Sequence, residues 1–234
     1  MEHLRFPSEP IPLKKAFKEY MNLGGLPEMY DPQKAELLGQ NLDLTFFRDI
    51  VEMFPVKRAD VLKSLFLLIA QNSGQRVNYE KMSRDLKTQF RTVSEYIQHL
   101  KDSYLISTSQ PYEGSLASSL RKGEKVYVSD HAYLNLVNCK VGLRAETIAF
   151  NHLRKMGKIF YAKDPEIDIL MPEKKLAVEV KFGQTVSRTD CANLLASTED
   201  QRLFLITDDT YEKWTFEGRT VTVLPLWLLC VCSD

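Results

Sequence analysis

The stretch EIDILMPEKKLAVEVK, residues 166–181, constrains the fold more than any other part of the chain. Two apolar segments flank Pro172-Glu173-Lys174-Lys175, a polar turn opened by proline, so the stretch reads as two strands joined by a tight loop. Side chains alternate along a strand. Leu176, Val178 and Val180 therefore share one face of the second strand, and Ala177, Glu179 and Lys181 share the other. A carboxylate and an ammonium thus point the same way from a strand otherwise suited to a core, with Asp168 of the partner strand within reach. Hard divalent cations take oxygen ligands, and Mg2+ typically uses one or two carboxylates together with waters and phosphate oxygens. A neighbouring lysine can orient a water or neutralise charge that develops on phosphorus. The competing reading is a solvated cross-strand charge cluster made by Glu179 and Lys181.

Ahead of the hairpin, GLRAETIAFNHLRKMG repeats Ile148-Ala149, His152 and Leu153 at helical spacing, with Gly157 to close the helix. KIFYAK (158–163) is a short strand leading into the hairpin. This order of elements resembles the PD-(D/E)XK, or restriction-endonuclease-like, nuclease family. There an Asp is followed by Glu-x-Lys on the next strand, and a further acidic residue comes from a preceding helix. Glu146 matches that residue, and the resemblance covers roughly residues 140–225. It implies a catalytic set of Glu146, Asp168, Glu179 and Lys181, the three carboxylates holding Mg2+ or Mn2+ and Lys181 assisting the water. Clustered carboxylates repel one another, so metal binding should tighten as pH rises past their pKa values. Gln184 is a candidate phosphate contact, or a plain loop glutamine. Farther on, TDCANLLASTED reads as a helix, RLFLIT (202–207) as a buried strand, and TVTVLPLWLL as a last strand and helix.

Residues 57–135 carry a different pattern. VLKSLFLLIAQNSG (61–74) is an apolar helix, Asn78 is placed to cap a second one, YEKMSRDLK, and residues 90–104 form a third. In the third, Val93, Tyr96, Ile97 and Leu100 make the buried stripe, leaving Arg91, Ser94, Glu95, Gln98 and Lys101 outward. A strand from Leu105, a polar loop and EKVYVSD (124–130) follow. Three helices and a hairpin give the winged helix-turn-helix order, and TVSEYIQHLKDSYLIS resembles its recognition helix. Docking on DNA is then expected through Thr88, Gln89, Arg91, Thr92 and Ser94, with Arg121 and Lys122 of the wing loop on phosphates. A protein-interaction module is the alternative, since Glu95 and Asp102 on the same face repel phosphate.

Residues 10–55 are rich in helix formers, broken by Gly24-Gly25 and fixed afterwards by Pro27. Two short helices around such a turn bury little surface alone, so they must pack on the winged helix or on a partner. With YMNLGGLPEMY and FFRDIVEMF ahead of the other two parts, the whole order is similar to the C-terminal portion of a family of prokaryotic AAA-type ATPases. The resemblance implies an α+β multi-domain chain: a helical lid remnant (1–56), a winged helix-turn-helix (57–135) and an α/β restriction-endonuclease-like domain with a mixed central sheet (136–234). No G-x-x-x-x-G-K-[ST] occurs, so no ATP site is expected here, and a separate ATPase subunit is the implied partner. Arg48 and Asp49 are candidate contacts for it, or a surface ion pair.

Function therefore divides between a DNA endonuclease read by a winged helix and a non-catalytic DNA- or protein-binding accessory half of an AAA-type ATPase. Thirty-one basic residues balance 31 acidic ones, so a nucleic-acid surface has to be a local patch. A homodimer is a candidate assembly, because paired cuts by this fold generally need two copies. Cys139, Cys191, Cys230 and Cys232 lack zinc spacing; Cys230 and Cys232 read as buried free thiols, which fits a reducing cytoplasm. His3, His99, His131 and His152 read as isolated surface or boundary residues. The polar opening MEHLRFPSEP and the short LPLWLLCVC argue for neither a signal peptide nor a membrane span.

Overall fold

The computed structural model describes residues 10–31, 38–44, 50–112, 123–197 and 200–232. Helix α1 (Pro10–Leu23) stops at Gly24, whose φ of 105° is open to glycine. A Cβ on Gly24 would lie 2.3 Å from the Ala132 side chain, so the chain passes too close for any other residue. The next N–H, of Gly25, donates to the Asp130 carboxylate (3.0 Å), which also caps the 3-10 turn His131–Leu136 through the Ala132 N–H (2.8 Å). The Gly-Gly turn is thus a docking point for the first helix on the middle of the chain. Short helices α2 (Leu38–Leu44) and α3 (Val51–Met53) follow.

Helices α4 (Ala59–Gln71), α5 (Tyr79–Asp85) and α6 (Phe90–Asp102) lead into strands β1 (Ile106–Pro111) and β2 (Lys125–Val128). Asn78 Oδ1 accepts the Lys81 N–H at 2.9 Å and starts α5 as its sequence requires. The buried residues of α6 are Val93, Tyr96, Ile97 and Leu100, the stripe expected from their spacing. They pack with Leu62, Leu65, Phe66 and Ile69 of α4 and with Ile106, Val126 and Val128 of the hairpin.

The remaining elements are α7 (Val141–Leu153), β3 (Phe160–Lys163), β4 (Glu166–Met171), β5 (Leu176–Val180), α8 (Ala192–Leu195), β6 (Arg202–Thr207), β7 (Glu212–Phe216), β8 (Arg219–Pro225) and α9 (Leu226–Cys232). Among the described residues the strands form one mixed sheet in the order β2-β1-β3-β4-β5-β6-β8-β7. The protein is a mixed α+β multi-domain fold around that sheet. The hairpin β1–β2 is not separate from it, because β1 pairs in parallel with β3 at Gln110↔Phe160 and Pro111↔Tyr161. The sheet therefore runs through the expected boundary at 135/136. Strand β3 begins at Phe160 rather than Lys158, and the helix expected over TDCANLLASTED is a 3-10 turn (Arg188–Cys191) running into the one-turn α8.

Helix α7 covers one face of the sheet through Ala145, Ile148, Ala149 and Leu153, against Ile169, Val178 and Ile206. On the other face Cys191 and Leu194 cover Leu170, Ala177, Leu203 and Leu205. The β3–β4 register steps from Phe160↔Leu170 to Ala162↔Ile167, so β4 carries one extra residue around Asp168. Such bulges re-aim a side chain and end regular pairing. No helix among the described residues is long and apolar enough to cross a membrane.

Candidate functional site

Glu146, Asp168, Glu179 and Lys181, far apart in sequence, come together at the carboxyl end of β5, where ligands of open α/β sheets commonly sit. The last β4–β5 pair beyond the turn is Ile169↔Val178. One step farther the Asp168 carboxylate replaces the backbone ladder: its Oδ2 accepts the Val180 N–H at 3.1 Å. Glu179 Oε1 meets Lys181 Nζ at 2.9 Å, while Glu179 Oε2 is buried without a hydrogen-bond partner. Glu179 is only 4% exposed, which removes the reading of Glu179 and Lys181 as a solvated surface pair.

Two further residues complete the cluster, and both come from strand β2. Lys125 Nζ lies 2.9 Å from Glu146 Oε1 and 3.0 Å from Asp168 Oδ1. Tyr127 OH donates to the same Glu146 oxygen at 2.9 Å, and its ring stacks on Phe150 with centroids 3.8 Å apart. The Lys125 ammonium also faces the Tyr161 ring at 5.7 Å, a cation–π distance. Lys125, Tyr127 and Glu146 are all buried. Gly74, with φ of 87°, presses its backbone so close to Glu146 that a Cβ there would stand 3.1 Å from the carboxylate. Alternation in Lys125-Val126-Tyr127-Val128 signals two polar side chains on one face of an apolar strand. That signal is visible in the sequence, but it reads as wing surface until the strand's neighbours are known.

Burial raises the Glu146 carboxyl to about 7, with the nearby Asp168 charge adding to it and Lys125 opposing. Burial and then Asp168 raise Glu179 likewise to about 7, opposed by Lys181. Burial works to lower Lys125, yet the charges of Asp168 and Glu146 hold its ammonium above the ordinary range. Burial followed by Glu146 pushes the Tyr127 hydroxyl well up. Burial works to lower Lys181 too, yet the Glu179 hydrogen bond together with the charges of Glu179 and Asp168 raises it. A cavity of about 390 Å3 opens over the cluster, its walls including Lys140, Gly142, Lys181, Gln184 and Asn193.

The residues expected to hold a divalent ion are therefore arranged around an ammonium. Mg2+ draws its oxygens to about 2.0–2.1 Å and asks for near-octahedral geometry. Here Glu146 Oε1 and Asp168 Oδ1 are both taken by Lys125, at ammonium distances. Among the described residues no group of three or more His, Cys, Asp or Glu is disposed to hold a metal ion. With Lys125 seated, the donor set does not fit Mg2+ or Mn2+.

Residues 14–146, more than half of the chain, match the family described as Domain of unknown function (DUF8612). The chain belongs to that family. An uncharacterized protein of Haemophilus influenzae is 28% identical over 235 residues, covering 92% of this chain and 58% of the relative. An uncharacterized protein of Methanocaldococcus jannaschii is 25% identical over 251 residues, covering 94% and 56%. The chain thus spans little more than half the length of these relatives. No solved structure matches. The family match includes strand β2 and ends at Glu146, so it contains the Lys125–Glu146 pair but neither strand of the 166–181 hairpin.

The other expected contacts are distributed differently. Gln89, Arg91 and Ser94 are exposed at the start of α6, while Thr88 and Thr92 are half-buried. Arg91 Nε donates to Glu95 Oε1 at 2.9 Å, so part of that face is already neutralised. Arg48, Asp49, Arg121 and Lys122 lie outside the described residues, as does His3. His131 is not a surface residue: it is buried, with its Nε2 2.7 Å from the Tyr20 carbonyl. Cys230 is half-buried and packs against the core, while Cys232, on the opposite side of α9, is exposed. None of the four cysteines is in a disulfide.

Proposed function

We propose that this chain is a non-catalytic, DNA-associated accessory half of a larger ATP-driven protein, with a nuclease-like carboxylate cluster that is closed by its own lysine. The observation that carries the choice against catalysis is the Lys125 ammonium, 2.9 Å from Glu146 and 3.0 Å from Asp168. A cleavage site needs those oxygens for a metal ion, and a buried ammonium already satisfies them. The exposed start of α6, with Gln89, Arg91 and Ser94, supports a docking role on DNA. The greater length of the H. influenzae and M. jannaschii relatives, of which this chain covers 58% and 56%, supports the reading as part of a longer protein.

Labelled single-stranded, duplex and branched DNA, incubated with Mg2+ or Mn2+, tests it. The expected result is a gel shift that falls with salt, weakened by Arg91→Ala, and no cutting. Metal-dependent cutting lost in Glu179→Ala and Lys181→Ala would instead establish the endonuclease. That second reading is favoured by one observation, the buried and unpartnered Glu179 Oε2 beside Lys181. If no DNA is bound or cut, the α6 face serves a protein partner.

A further inference from the structure

We infer that Lys125 is the resident cation of this cluster, and that a divalent ion is held there only when the Lys125 ammonium is removed. The inference rests on the closed-site reading above but concerns ion binding alone. Three carboxylates, from α7, β4 and β5, converge on one small volume. Burying them together is unfavourable unless cations compensate them. Lys181 compensates Glu179 from the rim, being about one-third exposed. Lys125 compensates the other two from within, 6% exposed, between the two carboxylates and facing the Tyr161 ring. A single positive charge bridging two carboxylate oxygens is the arrangement a metal would otherwise provide. Remaining donors are oriented as well: Tyr127 OH holds Glu146, the Val180 N–H holds Asp168, and Glu179 Oε2 has no partner.

Taking the ammonium away while keeping its stem leaves Glu146 and Asp168 facing a vacated pocket, with Glu179 Oε2 still unpaired. That pocket then offers oxygen ligands at a separation set by N–H···O distances, wider than Mg2+ prefers and nearer to what Mn2+ or Ca2+ accepts. In the wild-type site, by contrast, Lys125 already holds Glu146 Oε1 and Asp168 Oδ1, and a dication takes those oxygens only by expelling it.

The test is Mn2+ binding by electron paramagnetic resonance and thermal melting in chelator or excess Mn2+, on the full chain without DNA. Wild type should bind Mn2+ only weakly and melt at the same temperature in both conditions. Lys125→Met should melt lower in chelator, regain several degrees in Mn2+ or Ca2+, and bind Mn2+ about tenfold tighter or more. Lys125→Arg, which keeps the charge, should behave as wild type. Asp168→Asn added to Lys125→Met should abolish the gain. Wild type binding Mn2+ at micromolar affinity, lost in Asp168→Asn, overturns the inference, as does a folded Lys125→Met that binds no better than wild type. Should Lys125→Met fail to fold in chelator, refolding in Mn2+ is expected to recover it, and failure to recover overturns the inference too. None of these readouts depends on whether the protein binds or cuts DNA.

Discussion

Strands β2 and β7 are the two edges of one sheet, and they meet the edge problem in opposite ways. Strand β7, EKWTF, keeps Glu212, Lys213 and Thr215 in solvent and only half-buries Trp214 and Phe216. Charged side chains on an exposed edge discourage further strand pairing, so Lys213 plays the usual part of an edge lysine. Strand β2, KVYV, is buried at every position. Its outer backbone edge is taken by residues 74–77, with the Gly74 N–H on the Val126 carbonyl (2.8 Å), the Val126 N–H on the Gln75 carbonyl (3.2 Å) and an Arg76↔Lys125 bridge, so that edge needs no charge for protection. Its lysine faces inward and is used as a counter-ion. The same residue type at the same topological position thus repels neighbours at one edge and assembles a charged cluster at the other. Whether the backbone edge is already paired, not strand composition, decides between the two.

Substitutions at the two edges should separate them by an order of magnitude. Tyr127→Ala removes a fully buried ring stacked on Phe150 and a hydrogen bond to Glu146. It should destabilise the protein by about 3–5 kcal/mol in chemical denaturation. A loss under about 1 kcal/mol would mean β2 is not seated as described. Gly74→Ala comes next. Its positive φ and its approach to the Glu146 carboxylate make the added methyl strained, at about 1–3 kcal/mol.

The third effect is a pH profile. Glu146 and Glu179 have carboxyls raised from 4.5 to about 7 in the folded protein, so the folded state holds protons that the unfolded chain releases. Their contribution to stability is complete below their unfolded values and is lost as pH rises through about 7. Melting temperature should therefore fall from about pH 5 to about pH 8, and Glu146→Gln should flatten the slope. A wild type that grows more stable over this interval contradicts the placement. The smallest effect belongs to the open edge: Thr215→Ala and Lys213→Ala should each stay within about 0.5 kcal/mol of wild type. A larger loss there would show that β7 is covered by a partner.

Much of this was legible from residue patterns. The stripe Val93, Tyr96, Ile97 and Leu100, the Asn78 cap and the 166–180 hairpin follow from local periodicity and turn chemistry, and they stand where expected. So does the convergence of Asp168, Glu179 and Lys181, which needs only a hairpin and its alternation. Lys125 and Tyr127 escaped because their role depends on pairing between β1 and β3, segments some fifty residues apart with no local signature. Strand β7 was missed for the opposite reason, since an exposed edge with two half-buried aromatics has weak alternation. His131 looked like a boundary residue because its partner, the Tyr20 carbonyl, lies at the end of a helix more than a hundred residues earlier. Cys230 and Cys232 looked buried because LPLWLLCVC is apolar throughout, and a helix lying on the surface still shows one side to solvent.

The parallel pairing Gln110↔Phe160 and Pro111↔Tyr161 also limits how such chains can be recombined. A crossover between relatives at the link after β2 would take Lys125 from one parent and Glu146 and Asp168 from the other. If the second parent lacked matching acids, the hybrid would bury a charge with no counter-ion. Lineages that abandon Lys125 must therefore change Glu146 or Asp168 in the same step, or recruit an external cation. The front and back of this chain are physically coupled as one unit, although they read along the sequence as two.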